Sequence, residues 1–339
     1  MLGNVLINMN LQGKKVLLIT PVFYGYEKEI EQKLQGLGAV VQFVEGHPKE
    51  WYGTIMSIAE RLGLTRKFFV HIFEDRAYKK FKKGIFDIVI IINSPSITSR
   101  LIERIKRNCL VPNSGRMVLY YWDSIDNLKD DRSRWAFFDS IYSFDNYDFE
   151  QHKNQLSFLP LFYCDKYWQE SDNKPRYDIM VVGSFRLNRY NYIQDIIKEN
   201  PELRIGTYLY NPKWQIWLHK TFRHKYDNVK YSDLRYKKLT FDEVVSLYMD
   251  SVAIFDIPMP GQKGLTIRTI EALAMHKKLI TTNHNIVNYD FYNEKNIYVM
   301  PRNNSQLPSK EWFDSPFSIE NTIIEKYSIG EWLKHLLGD

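Results

Sequence analysis

Between residues 261 and 274 the chain reads Gly261-Gln262-Lys263-Gly264-Leu265-Thr266-Ile267-Arg268-Thr269-Ile270-Glu271-Ala272-Leu273-Ala274. The two glycines let a backbone come close to a ligand, and a helix starting behind them turns its free N–H groups and positive dipole end toward an anion. Lys263 and Arg268 add full charges, and a guanidinium can hold a phosphate through two parallel hydrogen bonds. Glu271 falls one to two turns into that helix, where a carboxylate can accept hydrogen bonds from ribose hydroxyls. This is chemistry for holding a phosphorylated ligand. The same residues also suit plain structure: a turn shaped by Gly261 and Gly264, and an Arg268–Glu271 pair at i,i+3 worth about 0.2–0.5 kcal/mol.

A second group stands at Gly183-Ser184-Phe185-Arg186. It closes a β-rich run and reads as a strand-to-helix turn, and ligands of open α/β sheets gather at such carboxyl ends. Arg186, or Arg189 behind it, can offset charge on a departing phosphate; solvated arginines on an ordinary turn are the plainer reading. Trp122-Asp123-Ser124 closes an earlier run. Chemistry at a hydroxyl needs one carboxylate or histidine to take its proton, and Asp123 is the first choice. Asp126, Asp145 and His152 compete with it, and Asp123 also suits an N-cap or Asx-turn. No histidine sits at an HxxxH spacing and no DxD pair closes a strand, so no metal ligands are expected.

These residues need a frame, and the apolar pattern supplies one. Val16-Leu17-Leu18-Ile19-Thr20 is a strand, 24–37 a helix with Ile30, Leu34 and Leu37 on one face, and 39–44 a strand. Such a unit is the mark of a parallel sheet with crossover helices. Residues 86–92 (FDIVIII) form a strand buried on both faces. A helix at 96–106 and strands at 117–121 and 140–143 follow. The plan then restarts, with strands at 177–182, 203–208, 252–256, 278–282 and 296–300 and helices at 190–199, 241–249 and 266–275. Thr240 and Glu243 have the spacing of a capping box. One or two helices close the chain over 318–337. The polar run QESDNKP (169–175) suits a linker.

Length agrees with two lobes: 339 residues are long for a single core. Aromatic residues reach 15%, and beyond filling cores they can form flat walls for sugar rings and bases. Cys109 and Cys164 lie far apart with no CxxC or Cys/His spacing, which excludes a disulfide scaffold or thiolate zinc site and suits a reducing compartment. The start lacks a signal-peptide pattern, and no run reaches the ~18 apolar residues of a membrane span. A cytoplasmic protein is expected. A net charge of +6 permits attraction to phosphates or to an anionic membrane without requiring nucleic acid. In 208–236, Tyr208, Tyr210, Trp214, Trp217, Phe222, Tyr226 and Tyr231 alternate with Lys213, Lys220, Arg223, His224 and Lys225. That mixture suits single-stranded nucleic acid or an anionic membrane interface, and equally core aromatics beside a solvated basic face.

The run GLTIRTIEALAMHKKLITTN (264–283), followed by NYDFYNEKNIYV (288–299), resembles the C-terminal domain of bacterial GT-B glycosyltransferases of capsule and lipopolysaccharide assembly, the CgeB-like or glycosyltransferase-1-like enzymes. YDIMVVGSF (177–185) and YYWDSIDN (120–127) agree with it more weakly. The resemblance implies an α/β GT-B-like fold, two Rossmann-like doubly wound lobes facing a central cleft. It also implies that Gly264, Leu265 and Thr266 hold a donor diphosphate while Glu271 takes the ribose. One departure stands out. Related retaining families carry a second glutamate eight residues before the ribose glutamate, and here that position is Lys263. A lysine can neutralise a diphosphate but accepts no hydrogen bond from a sugar, so inverting and retaining courses both remain open.

The expectation is therefore a metal-independent glycosyltransferase without a cofactor, using a nucleotide-diphosphate sugar as donor substrate. Its acceptor would be a glycan or lipid-linked glycan of a surface polysaccharide, and its working place the cytoplasm or the inner face of the cell membrane, with an anionic membrane surface as a further partner and no nucleic acid. Residues 1–168 would form the acceptor domain, 169–317 the donor domain and 318–339 helices packing back on the N-terminal lobe. The donor set is Gly183, Ser184, Arg186, Lys263, Gly264, Leu265, Thr266, Arg268 and Glu271, with Asp123 as catalytic base. A nucleotide-sugar epimerase of the same fold, or a binding protein without chemistry, are the alternatives.

Overall fold

The apolar run that ends at Ile92 forms a strand because β-branched residues suit a pleated surface and leave no polar side to face water. Similar runs on either side of it build a parallel sheet. A computed structural model describes residues 9–47, 66–128, 130–169, 174–223, 226–302 and 304–338. The chain divides into two units, Met1–Leu161 with Ile329–Asp339, and Phe162–Ser328.

In unit 1, strands β1 (Lys15–Thr20), β2 (Val40–Glu45), β3 (Ile88–Ile92), β4 (Arg116–Tyr121), β5 (Ser140–Ser143) and β6 (Ser157–Phe158) form one sheet in the order β2-β1-β3-β4-β5-β6. Every pairing is parallel. Helices α1 (Tyr26–Gly36), α2 (Arg66–Phe81), α3 (Ser99–Asn108), α4 (Ile125–Leu128) and α5 (Asn146–His152) accompany it. The α3 helix buries Leu101, Ile102 and Ile105 in the core that holds Leu17, Ile19, Val89, Ile91 and Leu119. The sequence reading did not foresee α2.

Unit 2 repeats the plan. Its strands are β7 (Tyr177–Ser184), β8 (Ile205–Tyr210), β9 (Leu234–Arg235), β10 (Ser251–Asp256), β11 (Lys278–Thr281) and β12 (Ile297–Val299), in the order β12-β11-β10-β7-β8-β9. All pair in parallel. Helices α6 (Leu187–Glu199), α7 (Lys213–Arg223), α8 (Phe241–Met249), α9 (Ile267–Ala274), α10 (Lys310–Asp314) and α11 (Asn321–Glu325) complete it. The expected capping box is present: Thr240 N donates to Glu243 Oε2 at 2.7 Å and Glu243 N to Thr240 Oγ1 at 3.3 Å. One local expectation is corrected. Gly183 and Ser184 are the last residues of β7, in register with Leu209 and Tyr210, because the missing Cβ of a glycine does not prevent ladder pairing. The turn comes after them, and α6 starts at Leu187.

The last helix, α12 (Ile329–Leu337), belongs to unit 1. It buries Trp332, Leu333 and Leu336, with the Trp332 ring edge-on to Tyr120 at 5.0 Å between centroids. Its C-terminal carbonyls are also used: His335 O accepts from the Tyr142 hydroxyl at 3.1 Å and Leu337 O from Arg116. The units thus meet the chain at 161–162 and 328–329 rather than at a single crossing. The run 169–175, read as a linker, falls at 170–173 outside the described residues. Trp332→Ala should destabilise unit 1 by about 3–5 kcal/mol through loss of a buried indole. Hydrogen exchange should then quicken in β1–β6 and leave β7–β12 protected, which distinguishes this assignment from an independent tail.

Candidate functional site

The strand order of unit 2 reverses at β7, with β8 on one side and β10 on the other. Ligands of open parallel sheets bind at such a switch point, off the carboxyl ends of the strands. A pocket of about 700 Å³ lies there, lined by Ser184 at the end of β7, Arg186 to Arg189 in the entry and first turn of α6, Tyr192, Asn211, Gln215 and Tyr226, residues 257–260 after β10, and Arg302. The first-turn N–H groups of α6, which lack helical partners by geometry, therefore border the pocket.

Three guanidiniums, those of Arg186, Arg189 and Arg302, line it, and a fourth, that of Arg268, acts on Arg189 from nearby. Arg189 donates to Ser184 O at 2.9 Å and to Ile257 O at 3.2 Å, and Arg302 to Pro258 O at 2.7 Å and Met259 O at 3.1 Å. These bonds tie the strand ends to the loops and leave further N–H donors on each guanidinium. Arg268 pairs with Asp256 at 3.0 Å; the carboxylate is fully buried and the guanidinium side chain 24% exposed. Gly183 lies under both Arg189 and Arg268, since an added Cβ would meet Arg189 Nη1 at 3.0 Å and Arg268 Nη2 at 3.4 Å. Burial, then the charge of Arg268, pushes the pKa of Arg189 down to about 10, with Arg186 and Arg302 adding to the effect and Asp256 opposing it. Arg189 remains charged at neutral pH, and a bound anion would relieve its repulsion. Burial also works against the Arg268 charge, but Asp256, Tyr248 and Glu271 outweigh it and raise that pKa.

The segment 261–271 sits beside this pocket, supported by the loop after β11. Gly261 adopts a φ of 83°, which glycine allows without strain. Asn283 Nδ2 donates to the carbonyls of Gly264 at 3.0 Å and Lys263 at 3.2 Å, and Asn285 Nδ2 to Lys263 at 2.9 Å. Lys263 is exposed, Gly264 and Leu265 are buried, and Thr266 caps α9 without a side-chain hydrogen bond. Thr266 Oγ1, Thr269 Oγ1 and Asp256 Oδ2 are buried with no hydrogen-bond partner among the described residues. Buried polar atoms of this kind call for a water, an ion or a ligand as partner. Glu271, expected at the ribose, is buried at 4% exposure, and its carboxylate takes a hydrogen bond from Tyr167. Burial, then the Glu271 charge, holds the Tyr167 hydroxyl well above its usual range.

Arg186, Arg268 and Gly183, which the sequence singled out, stand in or beside this pocket together with Asp256, Arg302 and Asn283, which it did not. Only a carboxylate closing a β-branched run (SVAIFD) hinted at Asp256.

In unit 1 the strand order reverses at β1, between β2 and β3. The loop after β1 exposes Val22 (58%), Phe23 (41%) and Tyr24 (47%), held by Phe23 N donating to the buried Glu27 at 3.0 Å. Phe23 lies 5.8 Å from Trp122 between ring centroids, which joins the loop to the end of β4. Asp123, next to Trp122, is exposed and accepts from Ser124 N at 2.9 Å, a turn contact that leaves its second oxygen available. Its rivals are engaged. Asp145 caps α5 through Tyr147 N at 2.9 Å, and Asp126 pairs with Arg132 at 3.2 Å. His152 packs edge-on against Trp135 at 5.3 Å, and burial, helped by Arg132, holds its pKa below the usual range. Among the described residues no group of three His, Cys, Asp or Glu is placed to hold a metal ion. No described helix is long and apolar enough to cross a membrane.

No protein-family model matches the chain, and no curated protein matches it. Solved structures do. Sucrose-phosphate synthase from Thermosynechococcus elongatus superposes with a TM-score of 0.63 at 10% identity, over 96% of this chain and 98% of that one. Anabaena Alr3699/HepE, solved with UDP and glucose, gives 0.58 at 8% identity, again over 96% and 98%. The UDP-GlcNAc 2-epimerase from Methanocaldococcus jannaschii gives 0.50 at 11% identity, over 96% and 100%. At these identities the likeness is one of fold: an α/β architecture of two Rossmann-like units, of the GT-B type. Gly183→Ala should crowd the Arg189 and Arg268 guanidiniums apart and weaken pyrophosphate binding, read by calorimetry, by about 1 kcal/mol or roughly fivefold. Unchanged affinity would show that their convergence does not form the anion site.

Proposed function

We propose that the chain is a glycosyltransferase that moves a sugar from a nucleotide-diphosphate donor to a glycan or lipid-linked glycan acceptor in surface-polysaccharide synthesis. The observation that carries this reading is the arginine-lined pocket at the switch point of unit 2, on a fold shared with sugar-nucleotide enzymes. The donor diphosphate sits over Gly183, with Arg186, Arg189 and Arg302 on one side and Arg268 beside the α9 N-terminus on the other. As the glycosidic bond breaks, charge grows on the departing phosphate, and these fixed cations stabilise it without reorganising. They supply the positive charge that a divalent metal otherwise brings, so transfer is proposed to run without one. Asp123 in unit 1 takes the proton from the acceptor hydroxyl, and the exposed Phe23 and Tyr24 rings, with the half-buried Trp122 beside them, offer faces on which an acceptor sugar can stack.

A panel of nucleotide sugars tests the reading by thermal shift. The true donor at a hundredfold excess over its Kd should stabilise the protein by about 2.7 kcal/mol, and a panel without any shift sinks the proposal. Asp123→Ala should keep that shift and lose roughly a hundred- to ten-thousandfold in kcat. Conversion of a nucleotide sugar in the absence of acceptor would instead favour the epimerase, whose fold this chain also shares.

A further inference from the structure

The helix α7 has two unlike faces. Ile216 is fully buried, and Gln215 lines the arginine pocket. The opposite arc exposes Trp214 at 64%, Trp217 at 54% and Leu218 at 38%. Across a shallow hollow of about 880 Å³, Trp214 and Trp217 share lining with Lys213, Tyr231 and Tyr236. Lysines border the aromatics: Lys220 Nζ lies 4.6 Å from the Tyr231 ring centre and Lys213 Nζ 5.8 Å from that of Tyr236. Among the described residues of 208–238, six basic side chains stand against two carboxylates, Asp227 and Asp233, and Asp233 accepts from the Tyr190 hydroxyl.

Two tryptophans are rarely left in water without a function, because each carries a large apolar area. Indoles and tyrosines favour the headgroup level of a bilayer, and neighbouring lysines gain from its negative surface potential. We propose that this face of unit 2 docks on an anionic phospholipid surface, with Trp214, Trp217 and Leu218 entering the headgroup layer and Lys213 and Lys220 facing lipid phosphates. Because Gln215 of the same helix lines the arginine pocket, docking brings that pocket to the membrane surface. A lipid-linked acceptor would be met there; that consequence rests on the transferase reading, whereas the docking itself does not.

The test is co-sedimentation of the full chain with vesicles of phosphatidylcholine alone or mixed with phosphatidylglycerol, at physiological salt. The wild type should bind the mixed vesicles and leave the neutral ones. Trp214→Ser with Trp217→Ser, and separately Lys213→Glu with Lys220→Glu, should each weaken binding about tenfold or more. Their melting temperatures and pyrophosphate affinity should be unchanged, which separates lost docking from lost fold. Equal binding to neutral vesicles, wild-type binding by either double variant, or capture of a single-stranded RNA with no capture of vesicles would each overturn the proposal. Vesicle binding reads no turnover, so its failure leaves the nucleotide-sugar shift to judge the transferase on its own.

Discussion

Asp256 closes β10 in a place fully shut from water, and its carboxylate pairs there with the Arg268 guanidinium 3.0 Å away. An uncompensated charge at that depth would cost about 3–5 kcal/mol, far more than an exposed ion pair contributes. The pair therefore fixes where Arg268 stands, and through it the start of α9, the space above Gly183 and the crowding felt by Arg189. Neighbouring loops are fastened by the same means. Arg189 and Arg302 bind the carbonyls that follow β7 and β10, so the residues that give the pocket its charge also give it its walls.

Like charges gathered in this way are uncomfortable until something negative arrives. The lowered pKa of Arg189 records that tension. In the proposed donor site, an anion entering over Gly183 would meet donors already oriented and cations already partly stripped of water. In unit 1 an exposed carboxylate, Asp123, stands next to the half-buried Trp122, whose ring meets the exposed Phe23.

The strands were legible from the sequence because they are short apolar runs between turns, and their parallel order followed from the alternation with helices. The capping box of α8 was legible because it depends on two residues three apart. Other features depend on contacts that no spacing encodes. The α2 helix was missed because its pattern is interrupted by Glu74, which is buried and satisfied by Thr98 N at 2.7 Å, a residue of a later loop. Gly183-Ser184 looked like a turn because glycine usually ends a run, and only the neighbouring β8 shows that pairing continues. Arg302 and Asp256 gained their roles from partners 44 and 12 positions away. Glu271 was read as lying on the helix after the glycine turn, but its burial and its engagement with Tyr167 lay outside the motif. Of the aromatic–basic stretch, His224 and Lys225 lie outside the described residues; the α7 helix within it went unrecognised because Trp214 and Trp217 are exposed rather than packed on a core face.

The helix Ile329–Leu337 completes the core of the unit that the chain began. Unit 2 is thus an uninterrupted stretch of sequence inserted into unit 1. During synthesis the inserted unit has all its strands in hand while the first sheet still lacks Trp332 and Leu333 along one side. Domains fold as units when their residues become available, so the later-encoded unit can reach its native state first. The half-finished partner meanwhile shows apolar surface around Tyr120, a surface that a chaperone would read as unfolded until the helix Ile329–Leu337 has left the ribosome.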